Sequence, residues 1–378
     1  MTVALILLIA VIITALIFEY INGFHDTANS IATVVATKVL TPSQAVLMAA
    51  GMNLLGALWG TAVAKTVASG LIDTGVAQVT SQVLICALLG GIAWNLITWW
   101  WGLPSSSSHA LVGGLCGAAV GSVDSWSAII VSQPADPWYT GKGVLWKVVV
   151  PMFTSPMAGF VLGLVIMGIL FFVISRLNMS TGFLGWISRP RWINALFGKA
   201  QIVSAATMGF AHGSNDAQKT MGIIALALVA ATSAGTLDNV PDWMSFLRLE
   251  SADGGKDMVI PMWIALTCAV VMAMGTAAGG WRIIKTLGHK MVKLHPIHGF
   301  AAETASATMI LTASSLGIPV STTHNISAAI MGVGCSKRWN AIKWTVVERM
   351  LWAWVLTIPA TGAIAYALVK AMHALGWA

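Results

Sequence analysis

Charge is scarce in this sequence: charged residues make up 9% of its 378 residues, against about a quarter in soluble domains. Hydrophobic residues make up 57%, and apolar stretches close to the roughly 20 residues that span a bilayer recur along the chain. The net charge of +7 is spread over the polar segments between them, which is typical of membrane topology rather than of a nucleic-acid surface. The composition therefore excludes an ordinary soluble domain and predicts an all-α polytopic membrane protein.

Cysteine is also scarce, and common catalytic signatures are missing. The four cysteines lie singly in apolar segments, without the CxxC spacing of redox or metal sites. Neither HExxH nor GxSxG occurs, so an intramembrane hydrolase is supported only by scattered acids and histidines. The apolar N-terminal stretch lacks a basic n-region and a small-residue cleavage pattern, and we interpret it as a retained first helix. We therefore expect that the protein is not an enzyme and that it contains no cofactor and no resident metal.

Two aspartates lie in hydrophobic surroundings within similar motifs. Asp26 belongs to NGFHDTAN, residues 22–29, at the end of an apolar run, and Asp216 belongs to GSNDAQK, residues 213–219. An acid inside the membrane is energetically expensive, so its default interpretation is a functional site. Two such acids in matching contexts indicate a duplicated site.

Two further elements align without a gap: PSSSSH at residues 104–109 and PVSTTH at residues 319–324. Each follows an apolar segment and precedes a short Gly- and Ala-rich stretch, which predicts a break at the proline followed by a half-length helix. Each half therefore contains an Asp-motif segment, a span, a second span with a break and half-helix, and a long span. The predicted spans are 43–69, 79–101 and 144–174 in the first half and 259–281, 297–316 and 344–370 in the second.

Loop charges predict opposite orientations for the two halves, because basic loops stay cytoplasmic. The basic loops are 176–199, 282–293 and 337–343, and the poorly basic ones are 123–142 and 236–257. Each half then makes an odd number of crossings, which inverts the second relative to the first, as in secondary transporters with broken helices and a midplane site. The predicted units are a first repeat at 1–175, a cytoplasmic basic linker at 176–199 and a second repeat at 200–378.

The two half-helices form the predicted substrate site. A helix N-terminus presents unpaired N–H groups and the positive end of its dipole, which together favour an anion. Two such ends facing each other, with hydroxyls alongside, would fit a small tetrahedral oxyanion. Lys219, three residues after Asp216, can pair with that acid on one helix face or counter the charge of a substrate.

The acids and histidines have more than one interpretation. Asp26 and Asp216 would repel an anion if bare, so we assign them to a coupling cation, either sodium held by oxygen ligands or a proton. His109 and His324 close the two hydroxyl clusters and either hold the broken helices or contact substrate or proton, and His25 is a further candidate for a proton path.

Four further polar residues lie outside these motifs. His289, His295 and His298 lie in or near a basic loop and are interpreted as surface residues. Glu303 is interpreted either as functional or as a solvated helix end, because it starts a membrane segment.

Together, GFHDTAN, GSND and the two Pro-Ser/Thr-His elements resemble the duplicated signatures of the PiT family of inorganic phosphate transporters, in order and over nearly the whole chain. The resemblance implies a secondary transporter of inverted repeats, in which motif acids, nearby Asn residues and hydroxyls of the breaks form the phosphate and cation sites. Carried over, the substrate residues are Ser106, Ser107, Ser108, Ser321, Thr322, Thr323, Asn29 and Asn215. To these we add Lys219.

Two residues depart from the family's pattern. His25 stands where many members have Asn, and Lys219 stands where the second repeat often has Asn. The loss of neutral oxygen ligands argues against a full sodium site in that half. The pattern is similar to bacterial proton-linked Pit carriers, which the resemblance associates with a metal–phosphate complex. We therefore expect proton-coupled phosphate uptake, with sodium coupling, or sulfate transport on the same fold, as alternatives.

The expected partners follow from this interpretation. They are inorganic phosphate, with a divalent metal carried alongside it as an option, and the lipid bilayer. A homodimer is a candidate assembly, and no nucleic acid is expected. The expected location is the cell (inner) membrane, as a multi-pass protein.

Overall fold

The computed structural model describes residues 2–69, 80–136, 141–179, 189–249 and 259–377, and within them the chain is helical apart from turns, loops and one isolated β-bridge. The helices of the first half are α1 Val3–Ala36, α2 Pro42–Ala57, α3 Ala62–Ser69, α4 Ser81–Trp101, α5 Ser107–Val123 and α6 Val150–Asn178. Those of the second half are α7 Pro190–Ser233, α8 Met262–Ala278, α9 Trp281–Lys285, α10 Pro296–Ser315, α11 Thr322–Lys337 and α12 Trp344–Ala374. One π-helical turn, Leu145–Val149, precedes α6, and another, Thr286–Lys290, follows α9.

Several of these helices have the length and composition of membrane spans. Four qualify among the described residues: α1, α4, α6 with its π-helical turn, and α12. Two bent pairs also qualify when each pair is counted as one span, namely α2 with α3 at 70° and α8 with α9 and its π-helical turn at 58°. The prediction of an all-α polytopic membrane protein is confirmed.

The Asp motifs lie inside continuous helices, contrary to our expectation of a motif at the end of an apolar run. Helix α1 runs unbroken through Asp26 to Ala36. The motif glycines allow close helix packing and do not break the helix: a Cβ on Gly23 would lie 2.4 Å from Met272 O, and one on Gly213 would lie 2.2 Å from Asn53 O.

Two segments predicted as basic loops are partly helical. Residues 190–199 form the start of α7, and the segment 282–293 is helical as far as Lys290. The predicted span at 43–69 corresponds to the bent pair α2–α3, with Gly60 at φ 86° in a bend that the sequence did not predict. The sequence Asp73-Thr74-Gly75 also predicts a turn, which lies outside the described residues.

Each half-helix packs on the last long helix of the other half: α5 lies along α12, and α11 lies along α6. The closest approach is at matching glycines, since Gly117 and Gly332 each lie thirteen residues after the proline of their break. A Cβ on Gly117 would lie 2.1 Å from Gly362 O, and one on Gly332 would lie 2.0 Å from Phe160 O. Each half-helix therefore makes a matching contact with the last long helix of the other half, which supports the duplication. The inverted orientation and the unit boundaries remain predictions.

Two clusters of buried apolar side chains flank a buried polar layer. Phe18 of α1 belongs to the first cluster, and Ile31, further along the same helix, belongs to the second. The motif around Asp26 lies between them, so its polar side chains are enclosed by apolar packing and held away from solvent.

Candidate functional site

Both helix breaks are built from the same local signals. Gly102 and Gly317 end α4 and α10 with φ values of 65° and 66°, a left-handed conformation that favours glycine. Proline follows two residues later in each break and prevents the helix from continuing directly. The chain then begins α5 and α11 at Ser106 and Ser321, whose hydroxyls act as N-caps.

The capping serines organise the first turns of the half-helices. Ser106 Oγ accepts a hydrogen bond from the backbone N–H of His109, and Ser321 Oγ accepts one from that of His324, each at 3.2 Å. The N–H groups of the first residues in each helix have no intrahelical acceptor. Ser107 Oγ is buried and has no hydrogen-bond partner in the described part of the chain. These donors are the groups that an anion would require.

The second half-helix contacts both motif acids. Thr322 Oγ1 donates to Asp216 Oδ2 at 2.8 Å, and Thr323 Oγ1 donates to Asp26 Oδ1 at 3.2 Å. Asn29 Nδ2 donates to the Thr322 and Thr323 hydroxyls at 3.2 and 2.9 Å. These five predicted site residues therefore form one buried cluster.

Each motif acid has a basic side chain against it. His25 Nδ1 lies 2.7 Å from Asp26 Oδ1, and the other ring nitrogen of His25 lies 3.1 Å from the Thr98 hydroxyl. Asp216 forms an ion pair with Lys219. His212 Nε2 lies 3.1 Å from Asp216 Oδ2, although this contact is not a directed hydrogen bond.

Lys219 connects the two breaks. Besides Asp216, its ammonium group donates to Ser108 Oγ of the first half-helix and, at 2.8 Å, to the carbonyl oxygen of Val320 in the second break. The side chain is buried, so its charge is poorly screened by water. This places one positive charge between two hydroxyl clusters.

His109 and His324 also meet between the half-helices. Their ring centroids are 4.7 Å apart in a T-shaped contact, and His324 stacks on Trp354 with centroids 4.0 Å apart. Neither ring nitrogen of His324 has a hydrogen-bond partner among the described residues. The observed contacts are packing contacts, and a proton path through His25, His109 and His324 remains a prediction.

Asn215 occupies a different place from Asn29. Its Nδ2 donates to Ser314 Oγ at 2.9 Å, and its Oδ1 accepts from the backbone N–H of Val320 at 3.4 Å. These hydrogen bonds of Asn215 stabilise the second break. Its contact with substrate remains a prediction.

The structure excludes one of the two interpretations of Glu303 and corrects the interpretation of His298 as a surface residue. Glu303 is fully buried in α10 and accepts hydrogen bonds from Thr33, Ser204 and Gln201, so it is not a solvated helix end. His298 is buried at the start of α10, where its Nδ1 accepts from the backbone N–H of His295 at 3.1 Å. His289 and His295 are exposed, as expected.

Sequence reasoning missed several polar residues that complete the site. Thr98 contacts His25, and Asn53 connects α2 to the second motif, since its Oδ1 lies 3.1 Å from His212 Nδ1. Both lie singly in apolar segments and are fully buried or nearly so. A polar residue isolated in a span was the signal that could have identified them.

The motif acids can also hold a cation. One ligand atom each from Asp26, His212 and Asp216 lies within 4.8 Å of the others. Carboxylate and imidazole groups suit first-row divalent metals, and carboxylates suit Mg²⁺. The donor set therefore fits a divalent cation, provided that Lys219 shifts away from Asp216.

Comparison with known proteins identifies the family. Residues 22–365 match the Phosphate transporter family. The chain belongs to this family. It is 40% identical to a probable low-affinity inorganic phosphate transporter of Bacillus subtilis, over 98% of this chain and 99% of the relative. It is 42% identical to a protein of the same description from Rhizobium meliloti, over 96% of each.

A solved structure has the same fold. It is described as the sodium-dependent phosphate transporter, and it covers 97% of this chain and 99% of its own with a TM-score of 0.75 at 23% identity. Membership of the family confirms the resemblance drawn from the motifs. The protein is a multi-pass phosphate transporter of the cell membrane and not an enzyme.

Proposed function

We propose that this protein takes up inorganic phosphate in symport with protons. The observation that carries the proposal is that each motif acid already has a basic partner: His25 at Asp26, and Lys219 with His212 at Asp216. Sodium requires several oxygen ligands around an open position, and a singly charged ion has no electrostatic advantage over the Lys219 ammonium group that already pairs with Asp216. Histidine and carboxyl groups can instead bind and release protons.

The proposed phosphate position lies between the first turns of α5 and α11. The hydroxyls of Ser107 and Ser108 and the N–H groups of these turns are its donors, and Lys219 is its counter-charge. The hydroxyls of Thr322 and Thr323 become donors to phosphate when they turn away from the motif acids, because each has a single hydrogen to donate. Ser106 and Ser321 act indirectly, by capping the helices that present these N–H groups. The Bacillus subtilis relative is described as a probable low-affinity inorganic phosphate transporter, which supports the choice of phosphate over sulfate.

A second candidate is the carriage of phosphate as a complex with a divalent metal. The ligand atoms of Asp26, His212 and Asp216 lie close enough to share one ion. In this case the metal ion is transported with phosphate as part of the substrate. Its positive charge offsets the negative charge of phosphate near Asp26 and Asp216. Uptake of labelled phosphate should then require the divalent ion, and labelled metal should enter with it. Phosphate uptake that persists at full rate in the presence of a chelator would exclude this version.

The coupling ion is tested in proteoliposomes with sodium and proton gradients imposed separately. We expect a proton gradient alone to drive accumulation of labelled phosphate, and a sodium gradient alone to have no effect. Excess sulfate should compete weakly. Uptake that needs sodium would mean that Asp26 and Asp216 hold that ion despite their basic partners, and the proposal would be wrong.

A further inference from the structure

A second buried acid lies on the same face of α1 as Asp26. Glu19 is fully buried, seven residues before Asp26. Seven residues bring the helix back to nearly the same face, about 10 Å further along the axis. Thr33 continues this stripe seven residues after Asp26 and donates to the buried Glu303. Three levels of buried carboxyl groups therefore follow α1 across the polar layer and its apolar flanks.

Glu19 differs from the motif acids because it has no cationic partner. None of the ion pairs formed by the described residues includes it. Its Oε2 accepts a hydrogen bond from Thr220 Oγ1 and a long one, 3.5 Å, from Asn22 Nδ2. A carboxylate ion in such a place bears the full desolvation penalty of a buried charge.

Two acceptor atoms at Glu19 lack a donor. Glu19 Oε1 and Asn22 Oδ1 are both buried without a hydrogen-bond partner in the described ranges. Buried polar atoms are normally satisfied, so each such atom requires an explanation. A carboxylate at Glu19 would leave a charged oxygen buried without a donor, whereas a proton removes that charge. The burial and the missing donor therefore fit a carboxylic acid.

Glu303 provides an internal comparison. Its Oε1 accepts from Thr33 and from Gln201, and its Oε2 accepts from Ser204, so both oxygens are satisfied without an added proton. These bonds join α10 to α1 and α7, which makes Glu303 a structural link between helices. Of these two buried glutamates, only Glu19 has an oxygen without a hydrogen-bond donor in the described part of the chain.

Glu19 lies beside the charged residues of the substrate site. Thr220, its hydrogen-bond donor, directly follows Lys219 on α7. The groups that act on Glu19 from the packed helices are Asp216, which repels a carboxylate there, and Lys219, which attracts it, and the Cys268 thiol lies near it on α8. When Glu19 loses its proton, the new negative charge attracts Lys219 away from phosphate and also repels Asp216. When Glu19 is protonated, the Lys219 charge remains available to the anion.

We propose that Glu19 carries the coupling proton, and that its protonation state controls how strongly Lys219 holds phosphate. The step is a proton transfer only: the carboxylate takes a proton from water on one side of the membrane and releases it to water on the other. This inference rests on the proposed function, because it names the residue responsible for proton symport.

The test separates coupling from transport. Glu19→Gln keeps the shape and supplies an N–H donor in place of the acid proton, so it imitates permanently protonated Glu19. In proteoliposomes we expect exchange of labelled for unlabelled phosphate to remain within about twofold of the wild type and to lose its pH dependence. Uptake driven by a proton gradient should fall at least tenfold. Glu303→Gln is the matched control, for which driven uptake and exchange should change together.

Each result has a distinct meaning. If the Glu19→Gln protein retains the wild-type ratio of gradient-driven uptake to phosphate exchange, the assignment of Glu19 is wrong. A wild-type protein that responds to sodium and not to protons would overturn the proposed function itself. If Glu19→Gln fails to fold, Thr220→Val tests the same point, since removing the donor to Glu19 should shift the pH at half-maximal exchange to higher values. An unshifted profile would contradict the proposal.

Discussion

Thr323 Oγ1 donates a hydrogen bond of 3.2 Å to Asp26 Oδ1, although 297 positions separate the two residues. The neighbouring Thr322 donates to Asp216, so the first turn of one half-helix contacts the motif acids of both halves. A movement of α11 relative to α1 or α7 has to break at least one of these bonds. The contact therefore connects the position of the half-helix to the charge state of the acids.

The motif acids should be essential for coupled uptake. Asp26→Asn and Asp216→Asn each remove the charge that faces a basic side chain, and we expect gradient-driven phosphate uptake to be abolished while the protein still inserts into the membrane. Asp124→Asn is the control, because this exposed acid at the end of α5 pairs with Lys370 and Tyr366 at the surface, away from the substrate site. Full transport by either motif variant would show that its acid is structural.

Ser107→Ala should weaken phosphate binding without weakening the fold. The hydroxyl has no hydrogen-bond partner among the described residues, so its removal leaves none of their groups unsatisfied. One hydrogen bond to a charged group contributes about 1.5–3 kcal/mol, equivalent to a roughly 10- to 150-fold rise in the apparent dissociation constant. Ser122→Ala, further along α5, removes a hydroxyl that donates to Ala119 O in the same helix and should leave affinity unchanged. An unaltered affinity for Ser107→Ala would remove this hydroxyl from the site.

The sequence predicted the site better than the paths of the helices that carry it. Repeated motifs identified Asp26, Asp216 and the hydroxyl clusters, because buried polar residues in matching contexts have few structural explanations. The continuous course of α1 through its motif was missed, because glycine next to polar residues also occurs at helix ends. Only the three-dimensional packing shows that Gly23 and Gly213 lie against neighbouring helices. The burial of Glu303 and His298 likewise depends on long-range contacts that a local pattern does not record.

Lys219 should be tested together with its partner. Lys219→Met leaves Asp216 buried without its ammonium partner, and breaking a buried pair in this way costs about 3–5 kcal/mol of stability. Thermal unfolding in detergent should therefore occur at a clearly lower temperature for Lys219→Met. The double variant Lys219→Met/Asp216→Asn removes both charges and should recover most of this loss, yet neither protein should transport phosphate.

The two measurements on these variants answer different questions. Recovery of stability without transport would show that the loss of transport in Lys219→Met is not a consequence of its lower stability. Recovery of both would show that the pair only stabilises α7 against the half-helices. A Lys219→Met protein with unchanged stability would contradict the buried ion pair itself.

Gly117 and Gly332 allow a test of the contact that each half-helix makes with the last long helix of the other half. A methyl group at Gly117 would collide with the backbone of α12, and one at Gly332 would collide with the backbone of α6. Since backbone cannot rotate away as a side chain can, we expect Gly117→Ala and Gly332→Ala each to lower stability by roughly 1–3 kcal/mol, the usual range for overpacking. Gly168→Ala is the control, because a Cβ there meets nothing within 4 Å.

The same two substitutions should also reduce transport. Displacing α5 from α12, or α11 from α6, moves a first turn that carries substrate donors, so phosphate uptake should fall in both variants while the Gly168→Ala protein remains active. If the two halves are equivalent by duplication, the two losses should be similar in size. A large loss for Gly117→Ala with none for Gly332→Ala would show that only the first half-helix depends on this contact, and would argue against a shared role for the two breaks.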